Sequence, residues 1–395
     1  MKAAQVRGTR AHSHLGVGVV GCGGRGTRDA TVLARITPAR VVALGDLFQD
    51  QLDKAKVYFD RLAAAKGYAG VDPSRVFRGL RAYEQVAACR DVDIVLITSP
   101  PYFHPQHLEA AVSEGKHAYC EKPVAVDVNG AKRVIELGRK ARGKLSLDVG
   151  LQVRNAAPFR ALVRRIHSGA LGRIACGEAY YYATYVQKPS WPKASPAEAR
   201  IRNWIYDRVL SGDIIVEQDI HVIDACNWTL EEHPLKAVGS GRRAVRPDAG
   251  NVYGQFEVIF HYPRGVAVTF GSTQFEKTWW DVRLRFFGSR GVSESPYWGP
   301  VTIKGEEPWT WATMASSSPG RIQPGFVGAL HDNLSRADQA KMKLFVKSIL
   351  SGQYHNQAAL GAESTLTAIL GRTAAYRGRE ITWNELMKMD MNWRL

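Results

Sequence analysis

Leu15-Gly16-Val17-Gly18-Val19-Val20-Gly21-Cys22-Gly23-Gly24-Arg25-Gly26 is an apolar run of strand length that ends in a cluster of glycines. Thr27 to Ile36, behind it, has the pattern of a helix. A Gly-x-Gly-x-x-Gly stretch alone is a common glycine-rich turn. Here Gly21 follows a strand, Gly26 opens a helix, and Asp46 lies 20 positions further on, just past a second strand, Val41 to Leu44. That combination suits a dinucleotide. Gly21 permits the tight turn, Gly23 lets the backbone approach a pyrophosphate, and Gly26 allows close packing of helix on strand. The N–H groups of the helix N-terminus, at Gly24 and Arg25, face the phosphates. A carboxylate at Asp46 accepts hydrogen bonds from a free ribose hydroxyl and repels a 2′-phosphate. Leu47, Phe48 and Gln49 offer no arginine, so NAD is expected in preference to NADP.

Outward from this unit the alternation continues. A helix is expected over Gln49 to Lys66 and another near Tyr83 to Cys89, then a strand at Ile94 to Ile97, a helix from His104 to Glu114 and a strand at His117 to Cys120. A helix over Val128 to Arg142 and a strand from Leu145 to Val149 follow. Unbroken apolar strands between helices imply a parallel sheet covered on both faces, here a Rossmann domain over residues 15–149. Beyond Gly150 the strand candidates are longer, alternate and carry aromatics: Ile174 to Tyr185, Val252 to Tyr262, Val266 to Thr273 and Asp281 to Phe287. They suit a second α/β domain over 150–395, built on a large, mainly antiparallel open sheet. Lys188 to Ala199 reads as a loop, and helices are expected at Ala337 to Leu350 and Gly361 to Ala375. Residues 1–14 are polar and basic and read as a flexible lead-in.

The 395 residues suit two domains. A formal charge of +16 comes from basic residues spread along the chain, without a Lys/Arg tract interleaved with aromatics. No nucleic-acid partner is expected; an anionic cofactor or acidic substrate is favoured over a cationic one. Five cysteines without a CxxC pair indicate neither a zinc knuckle nor a disulfide framework. No apolar run is long enough to span a bilayer. A cytoplasmic location is expected; an exported mature form whose signal has been removed reads the same way.

Two segments leave the carboxyl ends of parallel strands, where open α/β sheets bind ligands: Ser99-Pro100-Pro101-Tyr102-Phe103-His104 and Glu121-Lys122-Pro123. Together with the glycine loop they resemble the Gfo/Idh/MocA oxidoreductase family, named for glucose-fructose oxidoreductase and inositol dehydrogenase. The resemblance extends through Gly150-Leu151-Gln152-Val153-Arg154 and Gly169 to Ile174, up to about Trp228. It implies that Ser99, Pro100, His104, Glu121 and Lys122 belong to the cofactor site, with Lys122 beside nicotinamide and substrate hydroxyl, orienting the alcohol. It implies also that Pro123 follows a cis bond and that Arg154 contacts substrate. Read alone, a lysine after a strand is a solvated surface group, and Arg154 is equally a surface charge.

Gly212 to Trp228 reads as one helix, on which Glu217, His221 and Asp224 fall at i, i+4 and i+7 and so share a polar face. The family carries Asp-x-x-x-His-x-x-Asp here, its histidine serving as acid/base. This chain has Glu217 at the first position, which leaves that carboxylate's role open. His221 alone is equally an interior histidine. The spacing would also suit a metal, but no second His-rich segment supports one and none is expected. The aromatics from Tyr180 to Tyr206 offer a wall for a sugar ring, with Tyr182, Trp204 and Tyr206 as substrate candidates beside Asp224. Half of these rings are core or subunit contacts.

The expected activity is NAD-dependent oxidation of a ring hydroxyl of a sugar, polyol or glycoside, assisted by Lys122 and His221. Two alternatives stand beside it: a redox-neutral glycoside hydrolase using tightly held NAD, and a dinucleotide-binding protein without catalysis. The partners expected are a small carbohydrate and further copies of the chain, since the family associates through the open sheet of its second domain.

Overall fold

The computed structural model describes residues 14–184, 186–243, 248, 250–276, 280–311 and 333–395. Residues 1–13 of the expected lead-in, and Tyr185, lie outside them. The chain folds as two compact units that are not contiguous segments. The first takes the described residues up to Val124 together with Arg133–Gly150 and Gln339–Ala359. The second takes Ala125–Lys132, the described residues from Leu151 to Asp338, and Leu360–Leu395.

In the first unit six parallel strands, β1 (Leu15–Val20), β2 (Ala39–Asp46), β3 (Val76–Arg78), β4 (Ile94–Ile97), β5 (His117–Cys120) and β6 (Leu147–Val149), lie in the order β3-β2-β1-β4-β5-β6. This is the Rossmann order, with its switch point between β1 and β4, so the turns after β1 and β4 border one crevice. All four residues of β4 and five of six in β1 are buried, as a sheet covered on both faces requires. β3 has three residues, too few to announce a strand by pattern.

This unit also takes in a segment from well beyond residue 150. Met342, Phe345, Val346 and Ile349, from the helix Ala337–Ser351, are buried in the same cluster as Val17, Leu33 and Leu96. Residues 355–357 then run beside β6, where Leu147 N donates to His355 O at 3.0 Å and Gln357 N to Leu147 O at 2.9 Å. The last strand of a sheet otherwise presents unpaired amides and carbonyls, and this returning segment pairs them.

The second unit is built on a nine-stranded sheet: β7 (Ile174–Thr184), β8 (Lys236–Arg242), β9 (Gln255–His261), β10 (Ala267–Glu276), β11 (Asp281–Gly288), β12 (Gly291–Pro296), β13 (Val301–Gly305), β14 (Trp309–Trp311) and β15 (Ile381–Thr382). Their order is β14-β13-β12-β11-β7-β10-β9-β8-β15, and only β7 and β10 pair in parallel. Burial alternates along β7, β9 and β11, so one face is covered and the other open. The helix Ile220–Leu230 packs against β7 and β11 on the covered face. Among the described residues no helix is long and apolar enough to cross a membrane, and the five cysteines form no disulfide.

Candidate active site

The glycine loop is fixed by close approaches that exclude side chains. Gly21 has φ +91°, and a Cβ there would lie 2.6 Å from Ser99 N; a Cβ on Gly26 would lie 2.0 Å from Gly21 O. Around Gly23, by contrast, a Cβ would meet nothing within 4 Å. Thr98 ties the loop to the end of β4, donating from its hydroxyl to Gly21 O at 2.7 Å and to Val20 O at 3.1 Å. The helix Gly24–Ile36 starts at Gly23 without a side-chain cap and with no acidic residue in its first turn. Amides at an uncapped helix N-terminus, bordered by open space, are what a pyrophosphate requires, so the residues present fit the dinucleotide. At the end of β2 the Asp46 carboxylate accepts from Cys22 N at 2.7 Å and Phe48 N at 2.9 Å, which orients it beside the loop. Burial raises its pKa above the ordinary value, and the two amides pull the other way.

Arg25, whose backbone N–H is expected at the cofactor, places its guanidinium in two ion pairs. Nη2 lies 2.8 Å from Glu121 Oε1 and Nε lies 3.0 Å from Asp29 Oδ2. Glu121, buried, also accepts from Tyr119 OH at 2.8 Å and from Lys122 N at 3.0 Å, and Gly150 leaves room for its carboxylate, which a Cβ would meet at 2.4 Å. The Lys122–Pro123 bond is cis. His104 is buried with Nδ1 2.7 Å from Pro123 O and Nε2 2.7 Å from Ser99 O, so it links the turn after β4 to the turn after β5; burial favours its neutral form. Ser99 meets His107 Nδ1 at 2.9 Å, and that imidazole is pushed down to about 3 by burial. Pro100 precedes the short helical turn Pro101–Phe103. The candidates Ser99, His104, Glu121 and Lys122 thus belong to one bonded group with the glycine loop.

In the second unit the single helix expected over residues 212–228 is interrupted. Ile214–Glu217 forms one turn and Ile220–Leu230 a second helix. At the junction Gln218 N and Asp219 N both donate to Ile214 O, at 2.8 and 3.1 Å, and Val222 N returns to Asp219 O. The wide turn interrupts the helix between Glu217 and His221. All three remain buried. Ahead of this turn Asp213 has φ +75° and ψ 164°, a region that L-residues avoid. It is held there by Ile214 N at 2.7 Å, Tyr253 N at 3.1 Å and Tyr376 OH at 2.5 Å.

Asp224 and Arg154, proposed separately as substrate contacts, are partners of each other. Arg154 Nε lies 2.9 Å from both Asp224 oxygens, and Ser364 OH donates to Oδ1 at 2.7 Å. Asp224 is fully buried while Arg154 is partly exposed above the Trp228 ring. Asp224 therefore braces Arg154.

The aromatic segment divides by strand alternation. Tyr181 is buried on the covered face, so Tyr182 lies on the opposite, open face, stacked on Tyr180 with ring centroids 5.3 Å apart. That is the face turned away from the helix of His221, which places Tyr182 outside the expected wall. Tyr206 is buried with Val252, and its hydroxyl donates to Val186 O, which spends it within the protein. Trp204 is half-buried. Sequence reasoning missed Tyr119, Thr98, Asp213 and Lys341, although Thr98 adjoins a quoted motif and Asp213 lies within the stretch read as one helix. Among the described residues no three His, Cys, Asp or Glu side chains are placed to hold a metal.

Residues 15–149 match the model of an oxidoreductase family with an NAD-binding Rossmann fold, and residues 159–294 match the GFO/IDH/MocA C-terminal domain. The 1,5-anhydro-D-fructose reductase of Ensifer adhaerens is 25% identical over 253 residues, 62% of this chain and 71% of the relative. The myo-inositol 2-dehydrogenase of Thermotoga maritima is 25% identical over 361 residues, 91% of this chain and 94% of the relative. Among solved structures, scyllo-inositol dehydrogenase from Lactobacillus casei, with bound NAD(H) and scyllo-inositol, has the same fold at a TM-score of 0.70 and 20% identity, covering 93% of this chain and 99% of that one.

Proposed function

Because the chain belongs to the Gfo/Idh/MocA oxidoreductase family, we propose that it oxidises a ring hydroxyl of a sugar, polyol or glycoside and passes the hydride to NAD. The observation that carries this reading is the Arg25–Glu121 ion pair, which ties the phosphate loop after β1 to the lysine turn after β5 on one edge of the parallel sheet. The inositol and anhydrofructose substrates in the names of its relatives support a carbohydrate.

Bound NAD supplies a two-electron acceptor at the nicotinamide ring. The Lys122 ammonium donates a hydrogen bond to the substrate hydroxyl oxygen and eases loss of its proton. A ring nitrogen of His221 takes that proton as the hydride leaves the same carbon, and the C–O single bond becomes a carbonyl. Glu217, one turn earlier, steadies the imidazolium so formed. Arg154, braced by Asp224, holds the neighbouring hydroxyls, and Trp204 offers a ring face. Asp46 takes the ribose hydroxyls and favours NAD over NADP. Tyr182, on the open sheet face, is assigned to contact with another copy of the chain.

Lys122→Ala and His221→Ala should each abolish turnover of a sugar and polyol panel, read as NADH absorbance, while calorimetry still detects NAD binding. Unchanged turnover in both variants refutes the assigned roles. Sugar release from aryl glycosides with no net NADH would replace this reading with the redox-neutral hydrolase.

A further inference from the structure

Asp29 and Glu121 are both buried, and both lie against Arg25. Two buried carboxylates beside one guanidinium crowd negative charge into a site of low dielectric, which tolerates it only when it is paired or shared with a proton. The second cation comes from far along the chain. Lys341, on the helix Ala337–Ser351, has a side chain 0% exposed, with Nζ 3.8 Å from Glu121 Oε1. The same ammonium stands 4.9 Å from the centre of the Tyr119 ring. A fully buried lysine is rare and persists only with such partners. Arg25 is 32% exposed and starts the helix at the phosphate cradle, so water screens its hold on Glu121. Lys341 has no such contact with solvent.

We infer that Lys341 is a positioning residue that keeps Glu121 ionised, so that Glu121 Oε2 continues to accept the Lys122 N–H and the lysine turn keeps its place at the exit of β5. The catalytic consequence rests on the proposed role of Lys122; the electrostatic claim concerns Glu121 alone. Burial by itself would raise the Glu121 carboxyl, but Arg25, then Lys341, then Lys122 hold it well below the usual carboxylate range. The other groups that face it are Asp29, whose carboxyl hydrogen-bonds it, Tyr119, which donates its hydroxyl, and His104 and Cys120; burial pushes the imidazole down, against its two carbonyl contacts, and the thiol up.

The test is a carbon-13 NMR titration of the full chain labelled at its glutamate carboxyls, with the Glu121 signal identified by its loss in Glu121→Gln. Glu121 should stay flat from about pH 4 to about pH 8 in the wild type. In Lys341→Met it should titrate within that range, its midpoint raised by at least one pH unit, a tenfold change in proton affinity. Lys341→Arg should restore the flat profile, which a merely structural loss of packing would not do. A flat Glu121 in Lys341→Met, or an ordinary titration in the wild type, overturns the inference. If circular dichroism shows Lys341→Met unfolded, Lys341→Gln, which keeps much of the stem without the charge, takes its place under the same criteria. Calorimetry with NAD on the same samples reports separately on the dinucleotide: a wild type that does not bind NAD overturns that reading and leaves the Glu121 result intact.

Discussion

Asp46 shows how a single carboxylate is prepared for a ligand. Its oxygens are oriented by Cys22 N and Phe48 N, and its burial raises the pKa above the ordinary value. Ribose hydroxyls need the ionised form as acceptor, so NAD affinity should fall as pH drops through that raised value. Asp46→Asn should weaken NAD about tenfold at neutral pH, near 1.4 kcal/mol, and flatten the pH dependence, both measurable by calorimetry. Asp213 carries the same balance further. It is fully buried, and burial pushes its carboxyl up to about 6 against the hydrogen bonds from Tyr376, Ile214 and Tyr253 and the charge of Arg372. Below that pH the folded state holds a proton that the unfolded chain, near 3.8, releases. Stability is therefore present at low pH and lost as pH rises through about 6. Relative to Asp213→Asn, the wild type should gain on the order of 3 kcal/mol between pH 7 and pH 4, seen as a shift in Tm. Asp46 drew notice in the sequence because the glycine loop sets a spacing to it. Asp213 did not, since its neighbours Tyr253 and Tyr376 come from distant segments.

At the scale of elements, the strands and helices of the parallel sheet other than β3 were legible because short apolar runs alternate with longer helical stretches between glycines and prolines. β8, Lys236-Ala237-Val238-Gly239-Ser240-Gly241-Arg242, has two glycines and little strand character, and it forms because β9 and β15 pair with it on either side. The break at Gln218 and Asp219 was illegible for another reason: a change of hydrogen-bond partner at one turn leaves the pattern of side chains almost untouched. The helix Ala337–Ser351 was foreseen as a helix, but its destination was not, since an amphipathic stripe does not name the surface it will cover. Phe345, fully buried with its ring 6.1 Å from that of Tyr119, occupies the core of the first unit. Phe345→Ala should cost about 3–5 kcal/mol in urea unfolding. The loss should register in NAD binding as well, because the same helix carries Lys341.

Across the whole molecule, the two architectures and the cofactor loop followed from local pattern, whereas the assignment of segments to units did not. The paired state of Arg154 with Asp224, and of Arg25 with Glu121, depended on residues that only the folded chain brings together. A nascent chain feels the same dependence in time. A ribosome that has released all six parallel strands has yet to make the segment Gln339–Ala359, which closes their core and shields the rim of β6. Until that stretch emerges the nucleotide half is a vessel without its stopper, with sticky apolar patches left open. Maturation of this half is thus timed by codons read well after those of its strands.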